Sequence, residues 1–217
     1  MPDKSDNISQ PGRRAFVQGA AITSAAMITA PSGAAAQALR GGAAMADTMT
    51  AEDVRKLLDL TPNATCGYVR VTFMSKQRIA AGGLPAPFAD GRPAGSALYF
   101  MLTPEEPVKL HRIRNDQLYH YYMGDPIEVL MLLTDGTTER HVVGPDLRNG
   151  EKVQLFIPGN TFHTARIIGQ RRWFLGASTE WPGVEPVDVE LGNAEELAAR
   201  YPKVAADIRT FPLPAAR

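Results

Sequence analysis

The stretch Val108–Pro126, VKLHRIRNDQLYHYYMGDP, decides how this chain folds. Two segments in it alternate apolar side chains with polar ones, Val108–Ile113 and Gln117–Met123, and a short polar turn separates them. Alternation with a period of two is typical of β-strands that bury one face. The stretch therefore predicts two consecutive strands with a histidine in each, His111 and His120.

The same pattern continues on both sides of this stretch. Further strands are predicted at Tyr68–Met74, Ser96–Leu102, Ile127–Leu133, Glu139–Val143, Lys152–Ile157, Thr164–Ile168 and Trp173–Ala177. Asp135-Gly136 predicts a tight hairpin, and Arg78–Gly95, rich in Gly, Pro and Ala, predicts a long loop that could cover a pocket. Short strands at this spacing predict an all-β fold, a sandwich or a double-sheet jelly roll.

Short capped helices flank the predicted strands. Thr50 and Asp53 have the spacing of a capping box, which predicts a helix start near residue 51. Asn193 begins a second predicted helix, in which Leu197 faces inward and which Pro202 ends. The folded domain is therefore expected to span residues 51–217.

The amino terminus differs from the rest of the chain. Arg13-Arg14 precede residues 15–39, which carry no charge, and Ala36-Gln37-Ala38 has the small-x-small form of a cleavage site. This arrangement resembles a twin-arginine export signal. The sequence predicts a signal peptide at 1–38, a linker at 39–50, and a periplasmic or secreted protein with no stable membrane insertion after cleavage.

Composition excludes several classes of protein. The 217 residues contain 23 Lys and Arg against 23 Asp and Glu, which argues against a nucleic-acid partner. A single cysteine excludes an internal disulfide framework and a cysteine-based zinc cluster. Because the chain has one cysteine and four histidines, any metal site must rely on imidazole and oxygen ligands.

Two groups of residues resemble the two cupin motifs. The second motif, Pro-x-Gly-x-x-His, is matched by Pro158, Asn160 and His163, with Asn160 in the glycine position, where Asn tolerates a left-handed turn. The first motif is resembled by His111, Gln117 and Gly124. More specific motifs lie at Gly67-Tyr68-Val69-Arg70, Gln117–Pro126 and Trp181-Pro182-Gly183. With them the chain resembles, over residues 52–202, the cupin-5 group, domain of unknown function 985. The resemblance implies a cupin double-stranded β-helix, a jelly-roll barrel with short flanking helices.

The resemblance also implies a place for a metal ion. Cupins typically hold one divalent transition metal ion, Fe, Mn, Ni, Zn or Cu, through three His and one Glu. The corresponding residues here are His111, Gln117 and His163, and the family usually has Glu where this chain has Gln117. An amide oxygen is a neutral and weaker ligand than a carboxylate for such a cation.

A metal-free alternative is implied by the similarity to deoxysugar epimerases, in which a His acts as general base and a Tyr as general acid. Either His163 or His111 would pair with Tyr119 or Tyr121. Strand alternation places Gln117, Tyr119 and Tyr121 on the interior face and His120 on the other.

Ligand-binding candidates come from strand residues of suitable chemistry. Arg70 and Arg166 could hold an anionic group, and Tyr68 and Tyr99 could line a pocket for a sugar ring or a planar acid. The predicted function is action on a small oxygen-rich molecule, a sugar or carboxylic acid. The alternative is a periplasmic cupin that binds or senses such a molecule without turnover.

The group resemblance further implies a homodimer. Cupins of this kind pair or exchange strands through one sheet face, which predicts an interface on the face that carries His120 and Tyr122.

Overall fold

Two antiparallel β-sheets enclose an apolar interior in the part of the chain that the computed structural model describes, residues 49–170 and 172–211. The strands are β1 (Thr61–Pro62), β2 (Tyr68–Met74), β3 (Arg78–Ile79), β4 (Arg92–Pro93), β5 (Ser96–Leu102), β6 (Val108–Ile113), β7 (Asp116–Gly124), β8 (Ile127–Leu132), β9 (Thr138–Val143), β10 (Gln154–Ile157), β11 (Phe162–Ile167), β12 (Phe174–Trp181) and β13 (Val189–Leu191). The α-helices are α1 (Ala51–Leu57), α2 (Ala194–Arg200) and α3 (Ala205–Thr210), and 3-10 turns occupy Leu147–Asn149, Pro186–Asp188 and Pro202–Val204.

The predicted export signal at 1–38 and the linker up to residue 48 lie outside the described residues, so export stays a prediction. Among the described residues, no helix is long and apolar enough to cross a membrane.

The strand order confirms the all-β jelly roll. One sheet has six strands in the order β1-β2-β5-β12-β7-β10, and the other has five in the order β13-β6-β11-β8-β9. We call them the six-stranded and the five-stranded sheet. The predicted loop Arg78–Gly95 contains a small hairpin of its own, formed by β3 and β4.

Several local predictions are confirmed. Strands β2, β5 and β6 have the predicted bounds. Thr50 and Asp53 form the capping box of α1, and Asn193 caps α2 by accepting from two backbone N–H groups. Asp135 accepts a hydrogen bond from Thr137 N at 2.8 Å in the turn between β8 and β9.

The turn of the second motif has the predicted backbone form. Asn160 has φ of 63°, the left-handed conformation that Asn tolerates better than most residues. Its N–H donates to Ile113 O at 2.7 Å, which ties the turn to the end of β6. This contact brings the start of β11, and with it His163, beside His111 on the neighbouring strand.

The interior between the sheets has two ends. One end, which we call the packed half, is filled by buried apolar side chains, among them Val108, Ile127, Val129, Ala165 and Phe174. The other end contains a cavity, which we call the open half. Close packing at one end and space at the other place the functional candidates at the open half.

Helices also cover part of the outer face of each sheet. Val54 of α1 packs with Met101 and Leu175 of the six-stranded sheet. Ile208 and Phe211, in and after α3, pack against the five-stranded sheet. A strand residue that points away from the interior is therefore still buried in several places, which matters for locating the site.

Candidate functional site

The open half contains a cavity of about 510 Å³ between the two sheets. Most of its wall is apolar, and its polar groups are Ser96, His111, Gln117, Tyr119, Ser178 and Glu180, together with residues at the rim. Val71 and Met74 of β2 line it while being 58% and 44% exposed, so this side of the cavity faces solvent. An apolar pocket with a few convergent polar groups is the usual form of a small-molecule site.

His111 presents an unprotonated nitrogen to the cavity. Its Nδ1 lies 2.8 Å from Lys109 O, and because a carbonyl oxygen only accepts, Nδ1 carries the hydrogen and donates it. The lone pair is therefore on Nε2. Burial lowers the pKa of His111 to about 4, so the imidazole is neutral at pH 7 and can act as a base.

His163 lies behind this surface and holds Tyr119. The two histidines are direct partners on β6 and β11, with ring centroids 4.3 Å apart. His163 Nδ1 faces Thr161 O at 3.2 Å, so its Nε2 accepts the hydrogen bond from Tyr119 Oη at 2.9 Å. Burial and the neighbouring His111 hold the pKa of His163 well below its ordinary value, and burial raises that of Tyr119. Both groups are therefore neutral at pH 7, and the proton stays on the tyrosine.

A buried carboxyl group lies across the strand pair from Gln117. Gln117 of β7 and Glu180 of β12 are Cα partners, and both side chains are buried. Glu180 is held by two serine hydroxyls at 2.5 Å each, Ser96 at Oε2 and Ser178 at Oε1. Ser178 Oγ also lies 3.3 Å from Gln117 Oε1. Burial raises the pKa of Glu180 above the ordinary value of a glutamate, while the hydrogen bonds from the two serines oppose that shift.

A buried ion pair also fixes one rim of the cavity. Arg92 of β4 donates to both carboxylate oxygens of Asp188 at 2.9 Å, and neither side chain is more than 1% exposed. Glu185, at the same rim, contacts Arg78 at 2.9 Å and Arg92 at 3.8 Å. The predicted covering loop is thus anchored beside the cavity.

The residues present do not fit the three-ligand metal site implied by the resemblance. His163 uses both ring nitrogens in hydrogen bonds to Thr161 and Tyr119. Within the described ranges, no group of three or more His, Cys, Asp or Glu side chains is arranged to hold a metal ion. Of the predicted metal ligands, His111 and Gln117 are then left, which is one fewer than the implied site needs. We therefore derive no step through a metal.

Of the predicted catalytic residues, Tyr119 faces the cavity. His163 lies behind Tyr119 and is hydrogen-bonded to its hydroxyl. Tyr121 points inward as predicted but lies toward the packed half, where its Oη donates to Gly124 O at 2.9 Å and its ring packs on Phe174.

The predicted ligand-binding residues lie on the outer faces. Arg70 donates to Leu58 O at 3.2 Å, and Tyr68 and Tyr99 pack in the cluster around α1. Arg166 pairs with Glu128 at 3.0 Å and stacks on Phe211. The structure does not bring these four residues to the cavity.

His120 lies on the outer face of the six-stranded sheet, as strand alternation predicts. Its Nε2 lies 2.9 Å from Thr179 Oγ1, and its ring stacks near Tyr122.

Sequence reasoning missed Glu180. The predicted last strand ended at Ala177, whereas β12 continues to Trp181. Ser178 and Glu180 alternate in phase with the buried Phe174, and that spacing was the signal that could have placed a carboxyl group in the interior.

The fold and site define a class of protein: a jelly-roll barrel that holds a small-molecule cavity at one end. The family model described as "Cupin superfamily (DUF985)" matches residues 52–192, and the chain belongs to this family.

Relatives agree with this assignment. A hypothetical protein from Leishmania major is similar in structure, with a TM-score of 0.69, 27% identity, and coverage of 76% of this chain and 99% of that one. A Shewanella oneidensis protein has a TM-score of 0.66 and 25% identity, covering 77% and 100%. An uncharacterised Saccharomyces cerevisiae protein is 26% identical over 98 residues, 43% of this chain, and the match spans only 48% of the yeast protein.

Proposed function

We propose that this chain is an exported cupin that binds a small oxygen-bearing organic molecule in its open half and transfers a proton on it. The observation that carries the proposal is that His111 of the five-stranded sheet and Tyr119 of the six-stranded sheet line the same cavity, with Tyr119 held by a hydrogen bond to His163. Export is supported by Arg13-Arg14 and the uncharged segment that follows.

His111 has the properties of a general base. Its lone pair on Nε2 is available to the cavity, and Lys109 O fixes both the tautomer and the ring orientation. A neutral imidazole can remove a proton from a carbon beside a carbonyl group. That removal leaves the electron pair on the substrate as an enolate, whose negative charge lies mostly on oxygen.

Tyr119 has the properties of the matching acid. Its hydroxyl is protonated, and the hydrogen can rotate from His163 Nε2 toward an oxygen in the cavity. Donation to the developing oxygen anion stabilises the intermediate. Return of the proton from His111 to carbon restores the substrate or gives its isomer, so the reaction balances without an oxidant or reductant.

The proposed class is therefore epimerisation or isomerisation through an enolate, and the direct test is hydrogen exchange. The protein is incubated in D2O with a panel of small sugars, keto sugars and hydroxy acids, and deuterium at carbon is followed by NMR. We expect uptake into at least one compound and a loss of about 10²-fold or more with His111→Gln. His141→Gln, outside the cavity, is the matched control and is expected to keep the wild-type rate.

Two results contradict the proposal. Exchange that persists in His111→Gln removes the assigned base. Absence of exchange across the panel, with ligand binding seen by calorimetry, assigns the chain instead as a binding or sensing cupin. That second function is favoured by Gln117 in the position where the family usually has an acid.

A further inference from the structure

The charged side chains that line the cavity, among the described residues, are acidic. Among the described residues that line it, none is a lysine or an arginine, while Glu180 and Glu185 contribute carboxyl groups. The arginines that the sequence offered as anion binders, Arg70 and Arg166, lie on the outer faces of the sheets. An anionic ligand would therefore enter a desolvated space without a partner for its charge.

The two carboxyl groups are not equivalent. Glu185 lies at the rim and is matched by Arg78 and Arg92, so its charge is compensated within the protein. Glu180 is buried, and its partners in the described chain are the hydroxyl groups of Ser96 and Ser178. A buried carboxylate with hydroxyl partners but no cation is the group that gains most from a positive charge or an N–H donor brought by a ligand.

The remaining titratable groups that face the cavity are uncharged at pH 7. His111 and Tyr119 are neutral for the reasons given above, and burial raises the pKa of Cys66 to about 11. The electrostatic character of the cavity is thus set by Glu180.

We propose that Glu180 selects the ligand by charge, so that the cavity takes an uncharged or positively charged small molecule, such as an amino-bearing one, and rejects carboxylates and phosphates. This inference rests on the cavity being the ligand site of the proposed function, and it narrows that ligand. Of the two classes expected from the sequence, it retains the sugar and excludes the carboxylic acid.

The test uses matched ligands that differ only in charge. Benzylamine, benzyl alcohol and benzoate form one series, and glucosamine, glucose and glucuronate form a second. Binding to the whole protein at pH 7 is measured by ligand-observed NMR, with competition within each series. In at least one series we expect the amine to bind about tenfold or more better than the acid, with the neutral member between them.

Variants then assign the preference to one side chain. Glu180→Gln keeps the shape of the side chain, and the serine hydroxyl that faces the new amide nitrogen can rotate to accept instead of donate. The variant removes the charge and is expected to remove the preference for the amine. Glu185→Gln is the control at the same cavity and is expected to keep it, since that charge is already matched. Thermal melting of both variants checks that each is folded.

The outcomes separate this inference from the proposed function. Equal or better binding of the acids, binding by no member of either series, or an amine preference that survives Glu180→Gln overturns the inference. If acids also show His111-dependent deuterium exchange, the proposed function stands and ligand selection by the charge of Glu180 is wrong. If amines bind through Glu180 and no compound in the panel shows exchange, ligand selection by Glu180 stands and the proposed proton transfer is wrong.

Discussion

The packed half and the open half of the barrel are built from the same strands but hold different side chains. Three strands run through both, and their interior residues change from apolar to polar along each one: Val108 to His111 on β6, Ala165 to His163 on β11, and Phe174 to Glu180 on β12. Backbone alternation decides which side chains point inward on β11 and β12, whereas on β6 a register shift between Val108 and His111 brings both inward. The choice of residue then decides whether the space is filled or left available for a ligand.

The two halves should therefore respond differently to mutation. Apolar contacts in the packed half stabilise the fold, because removal of buried volume loses both transfer free energy and contacts. The open half contains buried polar groups that are costly to desolvate and stabilise little. A division of this kind predicts that stability and chemistry can be changed separately.

The largest expected effect is in the packed half. Phe174 is fully buried and packs against Phe100, so Phe174→Ala should lower the free energy of unfolding by about 3–5 kcal/mol. Phe156→Ala, on β10 of the same sheet and 52% exposed, should change it by less than about 0.5 kcal/mol. Urea denaturation followed by circular dichroism measures both. Similar losses for the two variants would contradict the role assigned to Phe174 in stabilising the packed half.

The next largest effect is an acid sensitivity that comes from the open half. The pKa of His111 is about 4 in the fold against an ordinary 6.5, so the unfolded chain takes up the proton more readily. The stability associated with the neutral imidazole is complete above pH 6.5 and is lost as the pH falls toward 4, by about 3 kcal/mol.

Denaturation measured between pH 4 and 7.5 tests this slope. The adjacent His163 acts in the same direction, so His111→Gln should reduce the pH dependence without abolishing it. Phe156→Ala, which removes no titratable group and is 52% exposed in the wild type, should leave the curve parallel to that of the wild type. An unchanged slope in His111→Gln would contradict the assignment, because it would mean that His111 has the same pKa in the folded and unfolded chains.

The smallest effect concerns the hydrogen bond that joins the two walls. Tyr119→Phe removes the donor to His163 and leaves a buried nitrogen unpaired, which should cost about 1–2 kcal/mol of unfolding free energy. Tyr122→Phe, on the same strand and 48% exposed, is the matched control and should cost almost nothing. A loss of unfolding free energy as large as that of Phe174→Ala would mean that Tyr119 stabilises the fold in the way that the packed half does.

The fold and part of the site could be predicted from the sequence. Strong alternation gave the bounds of β2, β5 and β6, and the left-handed turn at Asn160 was predicted from the residue that best replaces glycine there. His111, Gln117 and Tyr119 were identified by motif spacing and strand parity, and all three line the cavity.

The remaining site residues could not be predicted for a physical reason. Because helices cover part of the outer face of each sheet, an aromatic or basic strand residue can find apolar contacts on either side, as Tyr99 does beside α1 and Arg166 does on Phe211. Period-two patterning alone does not tell the two faces apart when both are covered. Glu180 was missed because the polar end of β12 does not look like a buried strand.

The ion pair between Arg92 and Asp188 has a consequence for the kinetics of binding. Lifting that rim would separate two buried charges, an event too costly to occur on the way to every encounter. A ligand therefore exchanges past Val71 and Met74, where the cavity already faces solvent. Association should follow a single step whose rate is linear in ligand concentration, without the plateau that a gating motion would impose.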